Sequence, residues 1–434
     1  MVMLRPFRAL RYDPTRVRNL SAVVAPPYDV ITDTYRDALH ERSPYNVVHL
    51  ILNRAADPYA KAAELLAAWR RDGVLMRERQ PALCYYVENF KLPDGAVRQR
   101  EGIIGIVRLE RFDTGHIRPH ERTFARAKED RMRLLRACHT NLSPIFGLFA
   151  DKAEALDPMR AAAAQRPVDL DLHDDSGVRH RFWLLTEPAV IAATATALAD
   201  ESVVIADGHH RYETALAYRD HCRAAGATDP DAPHNFILMY LTSMSHPGLV
   251  VLPTHRVLSG IAAFDPADLL SKLRRHFRLT PFARAARSEF LNSLRQQPQH
   301  GRFGIAVAGS DQLIVATLDD AAVIDTYAAR MAPTVRHLDV TVLDTVILRG
   351  LIGIDCTAAG QEGKLTYTHD DETALAAVER GAQAAFLMNP PRIEDVQAVC
   401  LAGETMPEKS TYFFPKLLTG LVFHPLDDDP ATSR

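Results

Sequence analysis

The chain has 434 residues, of which 47% are hydrophobic and 24% charged, and its 51 basic and 54 acidic residues leave a net charge of −3. This balance is typical of globular domains and excludes disordered, collagen-like and disulfide-scaffold proteins. At roughly 100–200 residues per domain, the length predicts two or three domains. The near-neutral charge predicts neither a nucleic-acid partner nor an anionic membrane as partner.

The cysteines and the hydrophobic runs indicate the compartment. The five cysteines are widely spaced, odd in number and form no CxxC pair, which disfavours a disulfide framework and favours a reducing environment. The first residues lack the apolar core of a signal peptide, and no apolar run is long enough to span a membrane. We therefore expect a cytoplasmic protein.

The first half of the chain alternates between the two periods of secondary structure. Residues 23–31 predict a short strand that meets a turn at two consecutive prolines, because proline cannot sit inside a central ladder. Residues 57–72 predict an amphipathic helix, with a proline in its first turn and a glycine just beyond its end. Residues 82–110 predict an antiparallel hairpin, and 120–139 a charged helix followed by an apolar strand at 143–150.

The second half continues the same alternation. Residues 186–200 predict a helix, and 203–206 a buried strand that leads through a turn into another helix. The segment 223–234, rich in Ala, Asp and Pro, is the best linker candidate, and 303–318 predicts a second hairpin. The last hundred residues alternate helix and strand. These patterns predict an α+β (mixed α/β) protein without internal repeats.

The most informative stretch joins the strand at 203–206 to the helix that follows it. Its residues are Asp207, Gly208, His209, His210 and Arg211. A helix N-terminus carries partial positive charge, a glycine admits close approach of an anion, and an arginine fork suits phosphate oxygens. The histidines could donate hydrogen bonds or move protons, and the aspartate could hold Mg²⁺ or orient a hydroxyl. The structural alternative is an aspartate that caps a helix whose histidines and arginine face water.

The segment ADGHHRYETA resembles the signature of a prokaryotic family known as domain of unknown function 1015. The resemblance covers nearly the whole chain. Its other motifs are APPYDVI at 25–31, SPYNVVHL at 43–50, HERT at 120–123, NLSPIFGL at 141–148, LPTHRVL at 252–258 and MPEKSTYFFPKLLTGLV at 406–422.

A more distant resemblance bears on chemistry. DGHHRYETA is similar to a box of the ParB/sulfiredoxin superfamily, in which Gly208, His210 and Arg211 match residues of a loop that binds nucleotide phosphates. The resemblance implies a ParB/sulfiredoxin-like nucleotide- or phosphate-binding core with additional α+β regions. Sulfiredoxins have a catalytic cysteine where this chain has His209, so the alignment excludes sulfiredoxin chemistry.

The free-serine kinases of that superfamily resemble this loop more closely. They have an aspartate at the position of Asp207 that helps to activate the serine hydroxyl, and a glutamate base elsewhere in the fold. Glu121 is the candidate for that base in this chain. The resemblance therefore implies catalytic roles for Asp207 and Glu121, and the composition of the loop adds His209 and His210, which would hold the transferring phosphoryl group.

Other positions place suitable side chains near turns, and each has a structural alternative. A second phosphate group could be bound by two cations and a hydroxyl, those of Lys409, Lys416 and Ser410. Together with Gly208 and Arg211, these residues are the candidates for phosphate binding. The HERT motif could simply be a helix-capping turn, and His255-Arg256 could simply be the end of a strand. Tyr28-Asp29 could be a structural turn, or it could present a carboxylate to the ammonium group of a substrate. The candidates for substrate binding are Tyr28, Asp29, His120, Arg122, His255 and Arg256.

These observations lead to one hypothesis and two alternatives. We expect a phosphotransferase that interconverts free L-serine and O-phosphoserine, with Mg²⁺ and with ATP, ADP or pyrophosphate as donor. The alternatives are a nucleotide-binding ParB-like regulatory module and a phosphoserine hydrolase that uses the same anion pocket. The expected partners are a small phosphate ligand and an amino-acid substrate. The chain could also form a homodimer.

The expected domain organisation has three parts. Residues 1–80 and 186–250 form the core that carries the DGHHR loop. Residues 81–185 form an inserted β-rich region, and 251–434 form a C-terminal α+β domain.

Overall fold

The computed structural model describes residues 1–121, 125–150, 154–262, 264–296 and 300–427. Contacts between Cα atoms divide these residues into two compact units. Unit 1 is drawn from Met1–Pro119, Thr123–Val250 and Pro415–Arg434, and unit 2 from His120–Arg122 and Val251–Phe414. The chain therefore leaves unit 1, forms most of unit 2, and returns to unit 1 near its end.

The strands are short apart from the two that form the first hairpin. In chain order they are β1 (Leu4–Arg5), β2 (Leu10–Tyr12), β3 (Leu75–Arg77), β4 (Leu83–Lys91), β5 (Val97–Arg108), β6 (Ile117–Pro119), β7 (Thr140–Asn141), β8 (Ile145–Phe149), β9 (Leu170–His173), β10 (Arg179–Leu185), β11 (Val203–Asp207), β12 (Phe236–Ser243), β13 (Val250–Leu252), β14 (His255–Leu258), β15 (Phe277–Ala283), β16 (Arg302–Val307), β17 (Gln312–Leu318), β18 (Leu365–Thr368), β19 (Ala384–Leu387), β20 (Tyr412–Phe414) and β21 (His424–Pro425).

The helices are distributed along both units. In chain order they are α1 (Asp33–Arg42), α2 (Val48–Ile51), α3 (Pro58–Arg71), α4 (Ala125–Cys138), α5 (Asp157–Ala163), α6 (Pro188–Ala199), α7 (His209–Ala224), α8 (Pro266–Leu273), α9 (Arg287–Arg295), α10 (Ala322–Ala328), α11 (Pro333–Arg336), α12 (Asp339–Val342), α13 (Cys356–Gln361), α14 (Asp371–Glu379) and α15 (Ile393–Leu401). A π-helix, Leu343–Ile352, continues from α12.

Helix α3 has the N-terminal cap and the buried apolar face that its sequence predicts. The Asp57 side chain caps its first turn, where it accepts hydrogen bonds from the backbone N–H groups of Tyr59 and Ala60. The proline that follows the cap lacks only an N–H that would have no partner in the helix. Leu66 and Trp69, three positions apart, are buried on one face, as expected for a helix that packs one side against a core.

Unit 1 is built on a nine-stranded mixed sheet. Its strand order is β6-β11-β8-β12-β5-β4-β10-β9, and β1 also pairs with β5. The β6–β11 and β8–β12 pairs are parallel and the other pairs are antiparallel. The strands that pair with β11 therefore come from distant parts of the chain, and the DGHHR loop begins at the end of a strand that is paired on both sides.

Among the described residues, two hydrophobic clusters lie in unit 1. One packs the sheet against α5, α6 and α7, with Met159, Leu198 and Tyr212 among its buried members. The other joins the N-terminal region to α2, α3 and α4 and includes Leu66 and Trp69. Helix α7 is thus anchored against the sheet by its apolar side, which fixes the position of its N-terminus.

Unit 2 contains a six-stranded antiparallel sheet. Its strand order is β15-β17-β16-β19-β14-β18. Helices α9 and α14 pack on this sheet, where Phe290, Leu294, Leu375 and Val378 join a buried cluster. The sheet places β14, which carries His255 and Arg256, between two neighbours.

The structure confirms the α+β prediction and most of the predicted elements. The helices predicted at 57–72 and 186–200 and both hairpins are present. The strand predicted at 23–31 is wrong: Ala25 makes a single isolated bridge to Thr419, and Tyr28–Val30 is a 3₁₀ turn. The consecutive prolines explain this outcome, because they remove two backbone donors from the segment.

The predicted boundaries stay predictions. The segment 223–234 connects α7 with β12 inside unit 1, and β4, β5 and β10 share one sheet with β11. Across the described ranges, every helix is too short or too polar to cross a bilayer.

Candidate functional site

The DGHHR loop is a tight connection between β11 and α7. Residues of β11 are buried up to Ala206, and Gly208 follows with φ +94°, in the left-handed region that favours glycine. A Cβ at this position would lie 2.9 Å from both Arg211 Nη2 and Ile145 Cδ1. The loop thus requires glycine for its backbone conformation and for the close approach of the Arg211 guanidinium.

Asp207 lies between two cations. Its Oδ2 accepts a hydrogen bond of 2.8 Å from Arg211 Nη2, and its Oδ1 accepts one from Lys416 Nζ. All three side chains are largely buried, with exposed fractions of 15%, 13% and 12% for Asp207, Arg211 and Lys416. The Asp207 carboxylate therefore holds two cations at the end of the strand.

The two cations control the charge state of Asp207. Burial by itself raises the pKa of the Asp207 carboxyl, but the positive charges of Lys416 and Arg211 outweigh burial and hold that pKa well below its ordinary value. The carboxylate is therefore ionised throughout the physiological pH range. A group with so low a pKa is a weak proton acceptor near neutral pH, so its geometry suits holding cations better than general-base catalysis.

Arg211 is also fixed by groups outside the loop. Its Nη1 donates to Ser143 Oγ at 2.8 Å and to the carbonyl oxygen of Pro144 at 2.6 Å. These residues immediately precede β8, which pairs with β11. Arg211 thus links the loop to the neighbouring strand and is held in one orientation beside Asp207.

Helix α7 adds the field of its N-terminus to this site. The helix has sixteen residues, begins at His209 and has Gly208 as its N-cap. Its first-turn histidines differ in environment, because His209 is buried and His210 is half-buried. A helix of this length directs positive potential towards an anion at its start. The elements predicted for the loop are therefore confirmed, while the catalytic and binding roles of its residues stay predictions.

A small, partly open pocket adjoins Arg211 within unit 1. Its wall includes Thr214, whose hydroxyl is buried and has no hydrogen-bond partner. Most of the other lining groups are apolar or aromatic. The lining residues are Tyr28, Ile51, Arg131, Leu134, Leu135, Thr140, Asn141, Leu142, Ser143, Arg211, Thr214, Ile237 and Thr419.

Tyr28 belongs to this pocket, as the sequence suggested for a substrate-binding position. The guanidinium of Arg131 lies 4.0 Å from the centre of the Tyr28 ring, which is a cation–π contact. Asp29 is exposed on the same 3₁₀ turn. The structure therefore brings Tyr28 to the pocket beside Arg211 and leaves the carboxylate of Asp29 accessible to solvent.

Six other predicted residues that the structure describes belong to unit 2, namely His120, Glu121, His255, Arg256, Lys409 and Ser410. Oε1 of Glu121 accepts hydrogen bonds of 3.1 Å from the backbone N–H groups of Ser410 and Thr411, and His120 Nε2 lies 2.7 Å from Thr411 Oγ1. Lys409 is exposed and has φ +57°. These contacts support a structural role for Glu121, and its role as a base stays a prediction. Arg122 lies outside the described residues.

The remaining pair, His255 and Arg256, is buried on β14. Nε2 of His255 lies 3.0 Å from Asp371 Oδ1, and its Nδ1 accepts a hydrogen bond from the Met388 backbone N–H. Nη1 of Arg256 donates to the carbonyl oxygen of Thr254 at 2.5 Å. Both side chains are engaged inside unit 2, and their proposed contact with substrate stays a prediction.

A resident metal ion does not fit the groups around Asp207. Among the residues that the structure describes, no cluster of three or more His, Cys, Asp or Glu side chains is arranged to hold a metal. Both oxygens of Asp207 already accept hydrogen bonds from cations. A divalent cation there would face Lys416 and Arg211 at close range, which is electrostatically unfavourable.

Ser143 and Thr214 also line the pocket beside Arg211, although the sequence patterns do not predict them as site residues. Ser143 lies within the NLSPIFGL motif, which indicated only a turn and an apolar strand. The one indication in the sequence is that Ser143 is a polar residue at the start of an otherwise apolar strand. Thr214 lies one helical turn beyond Arg211 and therefore shares its face, a relationship that the helix prediction already contained.

Comparison with known proteins identifies a family without naming a reaction. The family described as "Protein of unknown function (DUF1015)" matches residues 4–341. No curated protein matches the chain.

Several solved structures are similar at low identity. A conserved hypothetical protein from Pyrococcus furiosus is 13% identical, covers 72% of this chain and 91% of its own, and has a TM-score of 0.35. A free serine kinase variant in complex with ADP is 11% identical, with coverages of 71% and 86% and a TM-score of 0.37. SbnI with a C-terminal truncation, from Staphylococcus aureus, is 12% identical, with coverages of 75% and 90% and a TM-score of 0.35.

Proposed function

This chain belongs to the DUF1015 family, and we propose that it is a phosphotransferase that interconverts free L-serine and O-phosphoserine. The observation that carries the proposal is the pair of cations, Lys416 and Arg211, held on the two oxygens of Asp207 at the start of α7. Fixed cations beside a helix N-terminus are suited to a phosphoryl group whose oxygens gain charge during transfer.

Asp207 acts in this proposal as the group that holds both cations. Its depressed pKa keeps it ionised, so that Lys416 and Arg211 are oriented before a ligand arrives. The low exposure of both cations reduces the screening of their charge by water. A phosphoryl group therefore meets a prearranged positive site instead of flexible surface lysines.

His210 is the proposed proton acceptor. The serine hydroxyl oxygen forms a bond to phosphorus while the bond between phosphorus and the leaving phosphate oxygen breaks, and the hydroxyl proton passes to His210. Imidazole is a common proton acceptor in catalysis, whereas the lowered pKa of the Asp207 carboxyl makes that group a weak one. Buried His209 would contact the phosphoryl group.

The pocket beside Arg211 supports a nucleotide as donor. Pyrophosphate is small and highly charged, whereas the pocket presents apolar and aromatic side chains such as Tyr28, Leu134 and Leu142. Such a lining suits a nucleoside and leaves the phosphates near Arg211. ATP and ADP are therefore proposed before pyrophosphate, and Mg²⁺ enters as part of the donor substrate.

The choice of serine as acceptor rests on the resemblance of the DGHHR loop to that of free-serine kinases. Asp29, exposed on the turn that carries Tyr28, offers a carboxylate to the serine ammonium group. Its position next to a residue of the pocket supports that assignment.

Phosphorus NMR tests the reaction class and the donor together. Purified protein is incubated with Mg²⁺ and L-serine, and separately with ATP, ADP or pyrophosphate. A new phosphoserine resonance with one donor is the expected result. The proposal fails if no donor yields phosphoserine and if phosphoserine with ADP, AMP or phosphate is not consumed in the reverse direction.

Two control reactions, one without a nucleotide and one without serine, distinguish the alternative activities. Free phosphate released from phosphoserine without a nucleotide would indicate a hydrolase. Phosphate released from a nucleotide at equal rates with and without serine would indicate a nucleotide-gated module. The variant Asp207→Asn serves as the site control, since loss of the carboxylate releases both cations from their fixed positions.

A further inference from the structure

A buried ion pair lies in the sheet of unit 1, outside the residues used so far. Glu88 on β4 and Arg100 on β5 are direct partners in the antiparallel ladder, and both are 0% exposed. Oε2 of Glu88 accepts hydrogen bonds from Arg100 Nε at 2.8 Å and from Nη2 at 2.6 Å. Such a pair is costly to bury, because two charges lose their hydration, and it is weak evidence for stability alone.

Arg100 also contacts the segment that carries Lys416. Its Nη2 donates a hydrogen bond of 2.7 Å to the carbonyl oxygen of Pro415, the residue immediately before Lys416. Three residues beyond Lys416, Thr419 exchanges two backbone hydrogen bonds with Ala25. The backbone on both sides of Lys416 is therefore held by unit 1.

The guanidinium of Arg100 also contacts a residue that pairs with Asp207 in the sheet. It lies 4.7 Å from the centre of the Phe146 ring, in cation–π geometry. Phe146 on β8 is the ladder partner of Asp207 on β11. Arg100 thus touches a residue beside each member of the Lys416–Asp207 pair.

We propose that Glu88 and Arg100 are positioning residues that set the place of the Lys416 ammonium relative to Asp207. Glu88 fixes the guanidinium, and Arg100 fixes the carbonyl of Pro415, so that Lys416 approaches Asp207 from one direction. The inference deepens the proposed function and rests on it for its catalytic meaning. This positioning role explains why the sheet contains a buried pair of charges at positions where apolar residues could pack instead.

The test replaces the pair with apolar residues of similar size, in the double variant Glu88→Leu with Arg100→Met. Removing both charges avoids an unpaired buried ion, so folding is expected to persist. Two quantities are measured: binding of inorganic pyrophosphate by calorimetry, and the pKa of the Asp207 carboxyl by carbon NMR, assigned with Asp207→Asn. Displacement of Lys416 should weaken binding about tenfold, as for loss of a charged hydrogen bond, and raise that pKa.

A second variant covers failure of the double variant to fold. Arg100→Lys keeps a charge for Glu88, but one ammonium lacks the planar fork that reaches Glu88 and Pro415 together. Arg219→Met is the matched control, because Arg219 is a buried arginine that also donates to a backbone carbonyl, that of Leu109. It should leave both measured quantities unchanged.

The outcomes distinguish this inference from the proposed function. Unchanged pyrophosphate affinity and unchanged Asp207 pKa in a folded Arg100 variant would overturn the positioning role. If wild-type protein binds no phosphate ligand but the Asp207 pKa rises in the variant, the positioning role stands and the phosphotransferase proposal fails. Equal losses in the Arg219→Met control would show a general effect of buried arginine and reject the specific role.

Discussion

Lys416 and Asp207 are 209 positions apart in the chain, and the Lys416 ammonium donates a hydrogen bond to Oδ1 of Asp207. Arg211, only four residues from Asp207, donates to the other oxygen. The site therefore combines a local pair, set by one helical turn, with a distant cation supplied by the return of the chain to unit 1. Its chemistry depends on both.

Lys416→Met should weaken binding of pyrophosphate and nucleotides by about 1.5–3 kcal/mol, the range for a hydrogen bond to a charged group. Asp207 keeps Arg211 as partner, so the protein should remain folded. Calorimetric titration with each ligand measures the change. Lys61→Met is the control, since Lys61 is an exposed lysine of unit 1 that pairs with Glu64. Equal affinities in wild type and Lys416→Met would remove Lys416 from the site.

Gly208→Ala should destabilise the protein and disturb the ligand site together. The new Cβ would require φ +94° and would lie 2.9 Å from the Arg211 guanidinium. Backbone strain of this kind costs about 1–3 kcal/mol, and displacement of Arg211 should reduce phosphate affinity in addition. Urea unfolding and calorimetry measure the two effects on one sample.

Gly226→Ala separates these effects. Gly226 follows α7 with φ +99°, and no atom lies within 4 Å of the Cβ position. This variant should show a similar loss of stability with unchanged ligand affinity. A parallel loss of affinity in Gly226→Ala would mean that the effect at Gly208 comes from general destabilisation.

The sequence allowed the loop to be predicted because its determinants are local. A buried strand, an Asp-Gly turn and a helix pattern follow one another within about twenty residues, and Asp207 and Arg211 are only four positions apart across the turn. The contact of Lys416 with Asp207 could not be derived in this way. Lys416 was selected only as a cation in a family motif, and the path of the chain back to unit 1 decides its partner.

Glu121 illustrates the opposite case. A carboxylate between His120 and a basic residue is the composition of a catalytic motif, but the same composition satisfies backbone donors. The structure has Glu121 accepting hydrogen bonds from Ser410 and Thr411, nearly three hundred positions away. Local composition identified the residue types but not these long-range hydrogen bonds, which support a structural role for Glu121, while its role as a base stays a prediction.

Acid should destabilise the protein partly through Glu101 of unit 1. Burial raises the pKa of this carboxyl, but hydrogen bonds from His246, Arg160 and Tyr85 lower it to about 2. Because the folded pKa lies below the unfolded value, the stabilisation is complete above an unfolded pKa of about 4.3 and is lost as pH falls towards 2. Unfolding free energy measured at pH 5, 4 and 3 should fall less steeply in Glu101→Gln than in wild type. Parallel curves would contradict the assignment.

Thr214→Val should discriminate between donors. The Thr214 hydroxyl is buried and unpartnered in the wall of the pocket beside Arg211. In the absence of ligand, its replacement by a methyl group should be neutral or stabilising by about 1 kcal/mol, because an unsatisfied polar group is removed. If a nucleoside occupies the pocket and pairs with the hydroxyl, ATP and ADP should bind more weakly while pyrophosphate affinity stays unchanged.

Thr194→Val is the matched control for that measurement. Thr194 on α6 is also fully buried with an unpartnered hydroxyl, and it lies outside the pocket. It should reproduce the effect on stability without any effect on ligands. Loss of pyrophosphate and nucleotide affinity in equal measure in Thr214→Val would place the hydroxyl at the phosphates. Unchanged affinity for all three ligands would mean that the donor does not use this pocket, and pyrophosphate would then become the preferred donor.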